Sequence, residues 1–115
     1  MRVSNGVGQW CAITFAGLAL ASTVQAAPDA DAAQSLARSN NCFKCHSIEK
    51  KKDGPSFKST ALKYAGKPDA ETILVRHLTT GEKAKFPDGH EEEHKVIRAK
   101  SEADVKNLVG WILVQ

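Results

Sequence analysis

The chain has 115 residues, 42% hydrophobic and 25% charged, with a formal net charge of +3 and three cysteines. That is one domain at most, too apolar for a disordered tail and too polar for a membrane-embedded bundle. A balance this near neutrality gives no warrant for nucleic-acid binding, which wants a strongly basic face.

Residues 1–26 read as an export signal. Met1-Arg2 is a minimal basic start, Trp10 to Ala21 carries no charge, and Val24-Gln25-Ala26 places small residues where a signal peptidase cuts. The apolar run is short for the ~20 residues of a spanning helix, so cleavage is expected, with no membrane span left and a periplasmic location. Cleavage removes Cys11 and Arg2 and leaves 89 residues, 27–115, with 15 basic and 13 acidic side chains. A domain of this size leans on a disulfide, a metal or a cofactor, and Cys42 and Cys45 decide which.

Four helices are predicted in chain order. Asp31 is expected to cap the first, with Gln34 suiting a capping box and Ala33, Leu36 and Ala37 as the apolar stripe, and an end near Ser39-Asn40-Asn41. Gly54-Pro55 breaks the chain and opens a second helix, which carries Phe57, Ala61 and Tyr64 and stops at Gly66. The third starts at Asp69 as N-cap, shows Ile73, Leu74 and Leu78 on one side, and closes at Gly81. In the last, Ser101 and Asp104 make a capping box, and Val105, Leu108, Val109, Ile112 and Leu113 line a broad apolar face. Two loops remain: basic Lys50 to Gly54, and the long, polar, glutamate-rich Gly81 to Lys100. No segment shows strand alternation, so the expected fold is all-α.

Cys42-Phe43-Lys44-Cys45-His46 is the attachment signature of c-type haem: two thiols add to the vinyl groups and the adjacent imidazole becomes the proximal iron ligand. Three rivals fit less well. A thioredoxin-like pair expects a βαβ context, a structural zinc site wants a second Cys or His pair, and a plain disulfide would close a strained small ring. Export favours haem, which is attached outside the cytoplasm in this linkage.

Around that motif the chain resembles the small bacterial class I cytochromes c over most of residues 31–115. The likeness is carried by the motif, Gly54-Pro55 after it, Tyr64-Ala65-Gly66, Thr80-Gly81, and the closing helix with Leu108, Trp111, Ile112 and Leu113. The resemblance implies a compact fold of about four helices around one haem c, bound through Cys42 and Cys45, with the first and last helices crossing. It also implies that Pro55, or its neighbour Gly54, orients the Nδ1 proton of His46.

Class I members usually close the sixth iron position with a methionine sulfur, yet the only methionine here is Met1, inside the signal. The candidates are His94, His90, His77, a lysine such as Lys83, Lys85 or Lys95, or water. His94 stands seven residues before Ser101, close to the spacing of the family, and ranks first, with His90 as the alternative; His77 reads first as a propionate or surface residue. His90-Glu91-Glu92-Glu93-His94 also fits the zinc-protease pattern H-E-x-x-H, but the glutamates between and Asp88-Gly89 before it do not suit an apolar active-site helix.

Bis-histidine ligation would give a lower potential than His/Met ligation. Lys44, Lys50, Lys51, Lys52 and Lys58 flank the expected haem edge and suit brief docking on a redox partner with an acidic surface. The leading reading is a periplasmic one-electron carrier and not an enzyme. The alternative is a haem-based binder or sensor of nitric oxide or carbon monoxide, and a third reading makes the chain a subunit of a larger oxidoreductase.

Overall fold

The computed structural model describes residues 26–115; apart from Ala26, the expected export signal lies outside the described residues. The chain runs α1 (Ala30–Ser39), α2 (Cys42–Cys45), α3 (Phe57–Tyr64), α4 (Ala70–Thr79), β1 (Lys83–Lys85), β2 (Glu91–Glu93) and α5 (Glu102–Leu113). Among the described residues no helix is long and apolar enough to cross a membrane.

The first helix starts two residues earlier than its sequence suggests. Asp29, not Asp31, is the N-cap, its carboxylate accepting from the Ala32 N–H at 2.9 Å, and Asp31 falls in the first turn. A contact across the fold sets this boundary. Asn107 on α5 accepts from the Asp29 N–H at 2.8 Å and donates to its carbonyl at 2.9 Å, fixing Asp29 in the extended conformation a cap requires.

Helix α5 is the centre of the molecule and packs against α1, α3 and α4. Its capping box is complete: Ser101 Oγ accepts from the Asp104 N–H and the Asp104 carboxylate accepts from the Ser101 N–H. Val105, Leu108, Val109, Trp111 and Ile112 are buried and meet Ala33 and Ala37 of α1, Phe57 of α3 and Leu74 and Leu78 of α4. The two alanines are fully buried, and their small size lets α1 approach α5 closely. Phe57 meets Trp111 edge-on, with ring centroids 5.5 Å apart.

Helix α3 opens after Gly54-Pro55, but its cap is Ser56, whose hydroxyl accepts from the Ser59 N–H at 3.1 Å. Asp69 occupies the N-cap position of α4 without a side-chain capping bond. The helix ends at Thr80, and Gly81 follows at φ +68°, a left-handed conformation that suits glycine.

The expectation of helices alone needs one correction. The long loop contains a short antiparallel hairpin in which Lys83, Ala84 and Lys85 pair with Glu93, Glu92 and Glu91. Its tip, Pro87-Asp88-Gly89, is a turn sequence. Gly89 at φ +94° donates to the Phe86 carbonyl at 2.9 Å, and Phe86 donates to the His90 carbonyl at 2.8 Å. The strands lack apolar alternation because they are exposed on both sides, apart from the half-buried Ala84.

Candidate functional site

The Cys-x-x-Cys-His motif is built as one turn of helix with the histidine just past its end. Asn41 enters in the left-handed conformation at φ 58°, Cys42 to Cys45 form the turn, and the His46 N–H closes it on the Cys42 carbonyl at 2.9 Å. Cys42 and Cys45 are free and half-buried. Burial pushes the Cys42 thiol up, against a smaller opposing pull from the Lys95 charge.

His46 then extends away from the turn, and its ring is fixed on three sides. Nδ1 lies 2.7 Å from the Pro55 carbonyl oxygen, which can only accept, so Nδ1 carries the proton and Nε2 keeps a lone pair. The ring lies nearly parallel to Phe57, with centroids 5.4 Å apart and planes 18° apart. Gly54 lies directly against the ring, where a Cβ would stand 2.7 Å from Nδ1. Gly54-Pro55 therefore does two jobs: the glycine leaves room for the imidazole, and the proline supplies the acceptor that orients it.

His94 faces this group from the far side of the chain. It follows β2, its backbone N–H donates to the Glu82 carbonyl at 2.9 Å, and Ile97 further on is held to the Leu78 carbonyl at 2.9 Å. Nδ1 of His94 lies 3.0 Å from the Lys95 carbonyl, which assigns the proton to Nδ1 and again leaves Nε2 with a lone pair. Burial lowers the pKa of this imidazole, and the neighbouring His77 and His46 lower it further, so the ring is held neutral.

The ring centroids of His46 and His94 are 6.2 Å apart. Two imidazoles on opposite sides of one metal ion, with bonds of about 2 Å and about 1.1 Å from nitrogen to ring centre, have centroids about 6 Å apart. The separation of the His46 and His94 centroids is of that size.

Of the other sixth-position candidates, His90 and the lysines are placed away from this pair. His90 sits at the hairpin tip, stacked on Phe86 with centroids 4.4 Å apart; its Nδ1 is bonded to Asp88 and its Nε2 lies 3.1 Å from Glu92. Lys83 and Lys85 are exposed on β1, and the Lys95 ammonium donates to the Asn40 carbonyl at 3.0 Å. Because residues 91–93 form a strand, His90 and His94 are not one helical turn apart, and the zinc-protease arrangement is not formed.

His77 is the residue whose placement sequence reasoning missed. Its ring packs on His94, with centroids 4.2 Å apart, and its Nδ1 lies 3.6 Å from Glu82, which also binds Arg76 at 2.7 Å. Only the meeting of α4 with the residues after the hairpin brings positions 77 and 94 together.

Residues 30–114 match the family described as cytochrome c. A cytochrome c-552 of Nitrosomonas europaea is 39% identical over 100 residues, covering 87% of this chain and 90% of the relative. A cytochrome c-551 of Allochromatium vinosum is 36% identical over 87 residues, covering 76% and 89%. Among solved structures, the class 1 cytochrome MtoD of Sideroxydans lithotrophicus ES-1 superposes with a TM-score of 0.74 at 66% identity, covering 76% of this chain and 97% of the other. The turn that presents two thiols and an imidazole, the crossing of α1 with α5 and these likenesses agree: the chain belongs to the cytochrome c family of electron-transfer haem proteins, is a small class I member, and carries its haem c on Cys42 and Cys45.

Proposed function

We propose that this chain is a periplasmic carrier of single electrons whose haem iron is held between His46 and His94. The observation that carries this reading is the 6.2 Å separation of two imidazoles whose Nδ1 atoms both face backbone carbonyls.

Bound haem supplies an iron that changes its charge by one electron; the side chains decide how readily and how fast. The Pro55 carbonyl, by accepting from Nδ1, makes His46 a stronger donor and fixes the plane of its ring. Burial and the adjacent imidazoles keep His94 unprotonated and ready to bind. Two nitrogen ligands in place of nitrogen and thioether favour the ferric state and lower the potential. Both ligands are tied to backbone, so their positions change little between oxidation states. No acid, base or substrate pocket is needed beyond the haem, which suits a carrier. Lys44, Lys50 and Lys51 beside the motif form an exposed basic surface for an acidic redox partner.

Electron paramagnetic resonance of the oxidised holoprotein tests the ligand pair. A low-spin bis-imidazole signal is expected in the wild type and in His77→Ala. It should be lost in His94→Ala made in the His77→Ala background, where the ring 4.2 Å away can no longer substitute. An unchanged low-spin signal in that double variant overturns the assignment. Carbon monoxide should leave the reduced spectrum unaltered, and a prompt shift would make the chain a ligand binder. Export is checked by the mass of the mature protein, expected to begin at Ala27.

A further inference from the structure

Asn40 is buried at 4% exposure at the end of α1, two residues before Cys42. Capping α1 accounts for one of its bonds, Nδ2 to the Leu36 carbonyl at 3.0 Å. The same Nδ2 also donates to the Arg98 carbonyl at 3.0 Å, and Oδ1 accepts from the Arg98 N–H at 2.8 Å. The Asn40 carbonyl accepts from Lys95 Nζ at 3.0 Å. Three of these bonds therefore reach the segment His94–Arg98. The amide grips both polar groups of one residue's backbone, as a neighbouring strand would.

We propose that Asn40 is a positioning residue for the distal iron ligand, clasping the His94-bearing segment so that the imidazole leaves iron slowly. The inference rests on the reading of His94 as sixth ligand. The start of this segment is held by Glu82 and its middle by Leu78. Asn40 secures its end and, being adjacent to the Cys42–His46 turn, references the distal segment to the proximal one. For His94 to swing away from iron, the segment must shift. Opening the clasp then leaves buried donors and acceptors without partners.

The test is the rate at which cyanide displaces the sixth ligand of the ferric holoprotein. Asn40→Ala should accelerate it roughly tenfold while the resting spectrum stays low-spin. Asn40→Asp keeps the acceptor for the Arg98 N–H and should fall between the two, which also covers failure of the alanine variant to fold. Asn107→Ala is the control for a merely structural effect. It removes the clasp between α1 and α5 at Asp29 and should lower the melting temperature without changing the cyanide rate. Wild-type rates in both Asn40 variants, or equal acceleration in Asn107→Ala, overturn the proposal. A His94→Ala/His77→Ala protein with the wild-type ferric spectrum overturns the ligand reading beneath it instead.

Discussion

Gly54 stands so close to the ring of His46 that a Cβ on it would lie 2.7 Å from Nδ1 and 2.9 Å from Nε2. The ring cannot yield without losing the Pro55 carbonyl. Gly54→Ala is therefore expected to weaken the bond that makes His46 a strong donor, raising the midpoint potential in a redox titration. Overpacking should also cost about 1–3 kcal/mol of stability in a denaturant melt. A variant with unchanged potential and stability would refute this account of the glycine.

His90 provides a pH signature separate from the iron. Its bond to Asp88, aided by Glu92, raises its pKa above the ordinary value of about 6.5, while the same bond lowers that of Asp88. A raised histidine favours the fold when protonated, so the interaction is complete below about pH 6.5 and is lost as pH rises through the elevated pKa. In nuclear magnetic resonance titration of the holoprotein, His90 should titrate above the free value, and Asp88→Asn should move it down. A His90 that does not titrate would be an iron ligand.

The contact of α1 with α5 should dominate stability. Leu108 is 1% exposed and Ala37 is fully buried. Leu108→Ala is expected to cost about 2–5 kcal/mol through lost burial and the cavity left behind. Ala37→Leu should cost about 1–3 kcal/mol by forcing the helices apart. Chemical denaturation of the holoprotein measures both.

The basic surface predicts the kinetics of encounter. Lys52 donates to the Phe43 carbonyl and Lys58 is 4.0 Å from Glu49, so the adjacent, exposed Lys50 and Lys51 project charge beside Lys44. Reversing both to glutamate should slow electron transfer to an acidic partner about tenfold or more at low salt. The wild-type rate should fall as ionic strength rises. A rate that climbs with salt would mean the docking charges have the opposite sign.

Local chemistry made much of this molecule legible. The Ser101–Asp104 box, the turn at the cysteines and the stop at Gly81 each need only neighbours in the chain, and each was readable from it. The same holds for Gly54-Pro55, whose break after the motif is visible although its closeness to the ring is not. What stayed hidden depends on partners far away in sequence. Asp29 rather than Asp31 caps α1 because Asn107 holds it from across the fold. The hairpin escaped notice because strands exposed on nearly every side carry no apolar rhythm, leaving Pro87-Asp88-Gly89 as the one cue. Counting back from Ser101 singles out His94 in the chain, but the packing of His77 on it needs α4 in three dimensions.

The hydrogen bond from His94 to Glu82 closes the hairpin at its neck, so the chain departs at residue 83 and rejoins after residue 93 at one point. The ring's address is set at that junction and by Leu78 and Asn40 behind it, none of which belongs to the excursion. Residues 85–87 of its outer part border the same hollow as Pro55, Ser56 and Ser59, so the hairpin reaches back toward the segment that orients His46. A change in the length of the outer turn is therefore expected to be felt beside the proximal ring, while the backbone of His94 stays anchored at the neck.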